Sequence, residues 1–278
     1  MAFIRVVEVL PPHFRRSKSE LSGAGSRMAE FSSQISRFKE YADIFMVANM
    51  KDQALLKFDA VHVATSLERQ RGVAAAPVLV VRDQNRPQFL SSVLTAFSAG
   101  LKAIMLAWGD EYPDGGASNV RDFQNLAEAI AESAKIRRMM GFRSRILAPV
   151  NVDRLSTPKW VSVARARLDA GAELLLAQPP TTDAGDAFER QVAVLDEAGL
   201  KKDVLLNVFP FTSPSDVARY ERLFGWRLPK GLHRAAREGP APLLGLQRDI
   251  VRRMRKENLP GVYLSTRGDI SLAERLLS

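Results

Sequence analysis

The feature that most limits what this chain can become is a motif repeated along its length: a short apolar run, a polar or proline-marked break, then an amphipathic helical stretch. The clearest copy lies between Ala76 and Pro113. Val78 to Val81 is too short for a helix and rich in β-branched residues, so it reads as a buried strand. It stops in Arg82-Asp83-Gln84-Asn85-Arg86, and Pro87 then suits the first turn of a helix. Phe89, Leu90, Val93, Leu94, Phe97 and Leu101 recur at three- and four-residue spacing, which is one apolar helix face. A second strand, Ala103 to Ala107, ends in Trp108-Gly109-Asp110-Glu111. Charged residues thus gather where each strand finishes, the end of a parallel α/β sheet at which ligands bind.

The same reading applied to the rest of the chain predicts eight strands, over 4–10, 44–47, 78–81, 103–107, 145–150, 174–177, 204–208 and 262–264. Helices are predicted over 28–41, 55–71, 87–101, 120–140, 158–170, 188–198, 216–224, about 241–256, and 272–278. Loops fall at 21–26, rich in Gly and Ser, and at 111–119, which carries Gly115-Gly116. Eight strand–helix repeats in 278 residues predict one (β/α)8 TIM barrel spanning 1–278, with no linker. An open doubly wound sheet is the alternative, weakened because no G-x-G-x-x-G follows the first strand.

Composition removes several function classes. There is no cysteine, so disulfides and thiolate metal sites are excluded, and His13, His62 and His233 have no ligand-like spacing, so no metal is expected. Apolar stretches fall well short of the ~20 residues that cross a bilayer. Arg5 and Glu8 break the N-terminal apolar run, unlike a signal peptide, so a cytoplasmic protein with no membrane partner is expected. The net charge is +9, with basic residues spread along amphipathic helices; a solvated surface is the plainer reading than nucleic-acid binding.

The residues that could carry chemistry stand in or just after strands: Glu8, Asn49, Arg82, Asp83, Asp110 and Gln178. A barrel brings five such strand ends to one rim. One polar residue at a strand end is usually a turn former or cap, and Arg82 and Asp83 could simply pair or cap the next helix. Glu8 differs, because a carboxylate within an apolar strand is costly unless paired or used.

Together these segments resemble the methylenetetrahydrofolate reductase family. V-V-E-V-L-P-P at the first strand is similar to the family's apolar strand, glutamate and two prolines, and A-A-P-V-L-V-V-R-D-Q-N-R to its third-strand segment. Gly109-Asp110 matches the family's G-D, Asp169 to Gln178 its D-A-G-A-x-x-x-x-x-Q, and N-V-F-P-F with Tyr220 and G-W-R-L-P the segment after strand seven. The matches run in order from residue 4 to about 230. The resemblance implies reduction of 5,10-methylenetetrahydrofolate, or a related methylene-pterin, to its 5-methyl form with NAD(P)H. It assigns the general acid to Glu8, a contact with flavin and pterin to Asp110, pterin binding to Gln178 and Asn49, and cofactor contacts to Arg82, Asp83, Tyr220 and Phe211. Phe209 and Phe211 also suit plain packing. Folates and dinucleotides are polyanions, and a positive field would speed their capture.

All but one of the departures concern the flavin. Val78 stands where many members have a histidine, Trp108 where the residue is usually smaller or basic, and 149–154 lacks the usual flavin-phosphate residues. Asp216 replaces a nicotinamide-side glutamine of some members. FAD is then either held by substitutes such as Arg154 or Lys159, or this is the branch that works without flavin. A non-catalytic barrel subunit of a one-carbon enzyme complex is the rival reading. Folate against another pterin, NADH against NADPH, and homo-oligomer formation stay open.

Overall fold

A computed structural model describes residues 2–15, 17–49, 55–82, 84–109, 122–178, 187–224 and 227–278. Eight parallel strands close a barrel: β1 (Ile4–Val9), β2 (Ile44–Val47), β3 (Ala75–Val80), β4 (Ala103–Ala107), β5 (Arg145–Val150), β6 (Leu174–Ala177), β7 (Val204–Val208) and β8 (Gly261–Ser265). Each pairs with its sequence neighbours, and β8 returns to β1 with Ile4 opposite Gly261 and Glu8 opposite Ser265. Closure is tight at its start. A Cβ on Gly261 would lie 2.0 Å from the Ile4 carbonyl oxygen, so only glycine lets β8 approach β1 there.

The strands read as continuous apolar runs because both faces are buried. The inward row fills the barrel with Val6, Ile44, Met46, Ala76, Met105, Leu147, Leu176, Leu205 and Tyr263. The outward row, including Val7, Phe45, Leu79, Ile104, Ile146 and Leu206, packs under the helices. These are α1 (Ala24–Arg37), α2 (Ala60–Arg71), α3 (Arg86–Ser98), α4 (Leu126–Met139), α5 (Pro158–Asp169) and α6 (Ala187–Glu197). After β7 come three more, α7 (Pro214–Phe224), α8 (Lys230–Glu238) and α9 (Pro240–Lys256), and α10 (Ser271–Leu277) ends the fold. Among the described residues no helix is long and apolar enough to cross a membrane.

Five predicted strands coincide with β2, β4, β5, β6 and β7. Residues 21–26, expected as a loop, are mostly helical: a short turn Lys18–Ser22, capped by Ser17, meets α1 at Gly23. Gly25, inside α1, costs about 1 kcal/mol in a helix, which burial of Met28 and Ile35 offsets. Leu55–Lys57, expected as the start of a helix, pairs antiparallel with His13–Arg15 in a small ribbon. The helix begins only after Asp59, whose carboxylate accepts from the Val61 and His62 N–H groups. The helix expected over 120–140 starts at Leu126, because the Asn125 side chain caps it by accepting from the Glu128 N–H at 3.0 Å. Helix α8 was not anticipated, although Leu232, Ala235 and Ala236 form a short buried face.

Candidate active site

Alternation on β1 puts Ile4, Val6 and Glu8 on one side, and Val6 lies in the barrel interior, so Glu8 projects inward one layer above it, next to the strand's C-terminal end. Its neighbours come from β8 by register. Tyr263, opposite Val6, donates its hydroxyl to Glu8 Oε2, and Ser265, opposite Glu8 itself, also hydrogen-bonds the carboxyl. Thr266 Oγ1 donates to the Glu8 carbonyl oxygen at 2.7 Å, fastening the end of β8 to β1. From β7, Asn207 Nδ2 donates to Ser265 Oγ at 3.3 Å, while Asn207 Oδ1 is buried without a partner among the described residues. The result is a polar belt, Glu8–Tyr263–Ser265–Asn207, on an otherwise apolar inner wall.

Two effects compete at Glu8. Burial raises the carboxyl above its ordinary value, and the Tyr263 and Ser265 hydrogen bonds pull it down; burial wins. Burial, reinforced by the Glu8 charge, holds the Tyr263 phenol well above its own ordinary value, so it remains a donor. An acid that keeps its proton beside donors that steady its anion can release that proton to a basic atom entering the mouth.

The other expected residues are distributed as follows. Gln178 directly follows β6, exposed at the rim, its Oε1 accepting from Asn151 Nδ2 at 3.2 Å. Asn49, at the end of β2, accepts from Lys57 Nζ of the ribbon. Arg82 is 6% exposed just past β3, its N–H bonded to the Trp108 carbonyl at 3.1 Å. Asp83 and Asp110 lie outside the described residues, as do Gly115-Gly116 and Trp226. Gly109, before Asp110, has φ +91, and a Cβ there would sit 2.5 Å from Val80 Cγ1. Tyr220 and Phe211 lie past β7 in an aromatic cluster with Phe209. Tyr220 meets Phe209 edge-on at 4.3 Å and Phe211 at 5.7 Å, and Phe211 is 2% exposed.

One residue that the sequence reading passed over organises this cluster. Arg267 lies just past β8 with φ 57, and its guanidinium covers the Tyr220 ring at 4.4 Å. It pairs with Asp216 at 2.9 Å, and Asp216 also accepts from Thr212 Oγ1 at 2.8 Å. Burial raises the Asp216 carboxyl, but the Arg267 and Thr212 hydrogen bonds outweigh it and hold the group below its ordinary value.

A model of the family described as methylenetetrahydrofolate reductase matches residues 3–238. The chain belongs to the methylenetetrahydrofolate reductase family. No curated protein matches it. Among solved structures it resembles an uncharacterised Clostridium thermocellum protein that binds two copies of 5-methyl-5,6,7,8-tetrahydrofolic acid. That match has 13% identity and a TM-score of 0.63, covering 98% of this chain and 94% of the other. It also resembles 2,3-dimethylmalate lyase of the PEP mutase/isocitrate lyase superfamily, with 13% identity, a TM-score of 0.50, and 94% and 84% of the two chains covered. At such identities the likenesses speak to the barrel fold.

Reductases of this family generally use a flavin, so its fit can be tested on the residues at the ends of β5 and β6. The cavity there measures about 240 Å³, below the roughly 300–1,000 Å³ typical of ligand pockets. Arg154 stacks its guanidinium on Trp160 at 4.6 Å, and Arg167 donates to the Pro149 carbonyl. Both guanidiniums near β5 and β6 are thus engaged by the chain's own groups, Arg154 by Trp160 and Arg167 by Pro149, while Asp83, Asp110 and residues 179–186 lie outside the described residues.

Proposed function

We propose that this chain reduces 5,10-methylenetetrahydrofolate, or a related methylene-pterin, to the 5-methyl form, with NAD(P)H as hydride donor and Glu8 as general acid. The observation that carries the reading is the part-buried Glu8 carboxyl, held by the Tyr263 hydroxyl and with its pKa raised, on the inner wall at the C-terminal end of β1. Family membership and a structural neighbour that binds methyltetrahydrofolate support it.

The chemistry asks for such a group. Glu8 delivers its proton to the bridge nitrogen that leaves, the carbon–nitrogen bond breaks, and a cationic iminium remains on the other nitrogen. Hydride from the nicotinamide then adds to the iminium carbon and gives the methyl group. Glu8 is left as a carboxylate, steadied by Tyr263 and Ser265, and regains a proton from solvent. Ionised Asp110 stabilises the cation. Gln178 and Asn49 hold the pterin, while Arg82, Asp83 and Tyr220 face the nicotinamide and Phe211 packs edge-on against Tyr220. Because Val78, Trp108 and residues 149–154 depart from the family's flavin side, and Arg154 is stacked on Trp160, hydride passes directly from nicotinamide to pterin in this reading. The test is a steady-state assay with NADH or NADPH and methylenetetrahydrofolate, alongside a visible spectrum of the purified protein. A colourless sample that oxidises the nicotinamide supports direct transfer. Flavin bands would overturn it, and no turnover with either donor would favour a non-catalytic subunit.

A further inference from the structure

Net charge is unevenly placed in this chain. Between Pro214 and Lys256 there are eleven basic and four acidic residues, so this excursion after β7 carries seven of the nine net positive charges. On α8 the buried side is Leu232, Ala235 and Ala236, and the exposed Lys230, Arg234 and Arg237 follow one another at four- and three-residue spacing along the helix. None of the three forms an ion pair among the described residues; Arg237 Nε reaches only the His233 carbonyl, at 3.4 Å. They border a groove of about 1010 Å³ between α6, α8 and α9, with Leu246 and Ile250 on its apolar side; Glu238 also lines it, as does Arg253, which pairs with Glu189 and lies over the Phe188 ring at 4.7 Å. Three cations beside an apolar floor of this size suit a ligand that is part flat and apolar, part polyanionic.

The groove lies against a second cavity that touches the polar belt. It shares Phe188, Leu232 and Ile250 with a smaller cavity of about 80 Å³, which is also lined by Asn207 and Phe209. Asn207 is the β7 member of the polar belt, 6% exposed, and its Oδ1 lacks a partner among the described residues.

We propose that the α6–α8–α9 groove holds the adenosine diphosphate half of the nicotinamide donor. The purine lies against Leu246 and Ile250, and the phosphates face Lys230, Arg234 and Arg237. The apolar floor disfavours the other polyanion at hand, a folate's glutamyl tail, which has no flat apolar part. The inference rests on the nicotinamide being the donor, and the experiment separates the two claims.

Titration calorimetry with ADP-ribose, which lacks the nicotinamide, reads the groove alone. Wild-type protein binds it, and the Lys230→Ala/Arg234→Ala/Arg237→Ala variant binds it about tenfold or more weakly, since each exposed charge contact contributes roughly a few-fold and three are removed together. Binding of 5-methyltetrahydrofolate and turnover with reduced nicotinamide mononucleotide, which lacks the adenosine, stay at wild-type levels in the variant. Wild-type protein that ignores ADP-ribose, or a variant that binds it undiminished, overturns the proposal even if pterin reduction stands. ADP-ribose binding that depends on the three cations, with no turnover on any nicotinamide donor, would keep the groove and remove the reductase reading. A pentaglutamyl folate that loses affinity in the variant, while ADP-ribose does not, would reassign the groove to the glutamyl tail.

Discussion

Replacing Tyr263 with Phe removes one hydroxyl from a buried wall and tests how the barrel manages its acid. Tyr263 donates to Glu8 Oε2, and this bond is one of two that hold the carboxyl below where burial alone would place it. A hydrogen bond to a charged group contributes about 1.5–3 kcal/mol and one to a neutral group about 0.5–1.5 kcal/mol. The variant should therefore lose about 1 kcal/mol more stability when Glu8 is ionised than when it is protonated. The sign follows from linkage. Glu8 already has a folded pKa above its unfolded value of 4.5, so the native state binds more protons and stability falls as pH rises through the raised value. Tyr263→Phe moves that value further up and deepens the fall. Urea unfolding at a series of pH values should show a gap from wild type that widens above the ordinary carboxylate range. In turnover, which needs the protonated acid, the alkaline limb should move to higher pH. A gap that does not vary with pH, or an alkaline limb that moves to lower pH, would refute the assignment of Tyr263 as donor to the Glu8 anion.

Gly109→Ala should cost about 2–5 kcal/mol in urea unfolding, combining a left-handed backbone at φ +91 with a Cβ 2.5 Å from Val80 Cγ1. A loss below about 1 kcal/mol would mean that β3 and β4 separate more freely there than their packing suggests. Asp216 has a folded pKa below its ordinary 3.8, so its pairing with Arg267 stabilises the fold above that value and is lost as pH falls through and below it. Asp216→Asn should thus cost about 1 kcal/mol at pH 7 and close to nothing in acid, measured by unfolding midpoints. An equal cost at both pH values would assign the loss to the Thr212 contacts instead.

Much of the barrel is legible in the sequence, because a strand buried on both faces is an apolar run whose ends are marked by polar residues. Ile44–Val47, Ala103–Ala107, Arg145–Val150, Leu174–Ala177 and Val204–Val208 are delimited in that way. Local pattern fails where tertiary contacts decide. Leu55–Lys57 becomes a strand only because His13–Arg15 lies alongside, and Gly25 is helical because α1 buries Met28 and Ile35. In the site, Glu8 is visible as the one carboxylate in an apolar strand. Asn207, a polar residue inside V-L-L-N-V, offered the same signal and was passed over. Tyr263 and Ser265 were harder to see. Their inward phase has meaning only once β8 closes onto β1 in the register that places Ser265 opposite Glu8. Arg267 gives no local signal, since its role depends on Asp216 and Tyr220 approaching from another segment.

The most direct measurement is a comparison of wild-type and Glu8→Gln protein in one pair of experiments: binding of 5-methyltetrahydrofolate, and NAD(P)H oxidation with the methylene substrate. The account predicts unchanged binding and a turnover reduced by about 10²–10⁴-fold, the usual contribution of a general acid. A Glu8→Gln enzyme that turns over at the wild-type rate would contradict it.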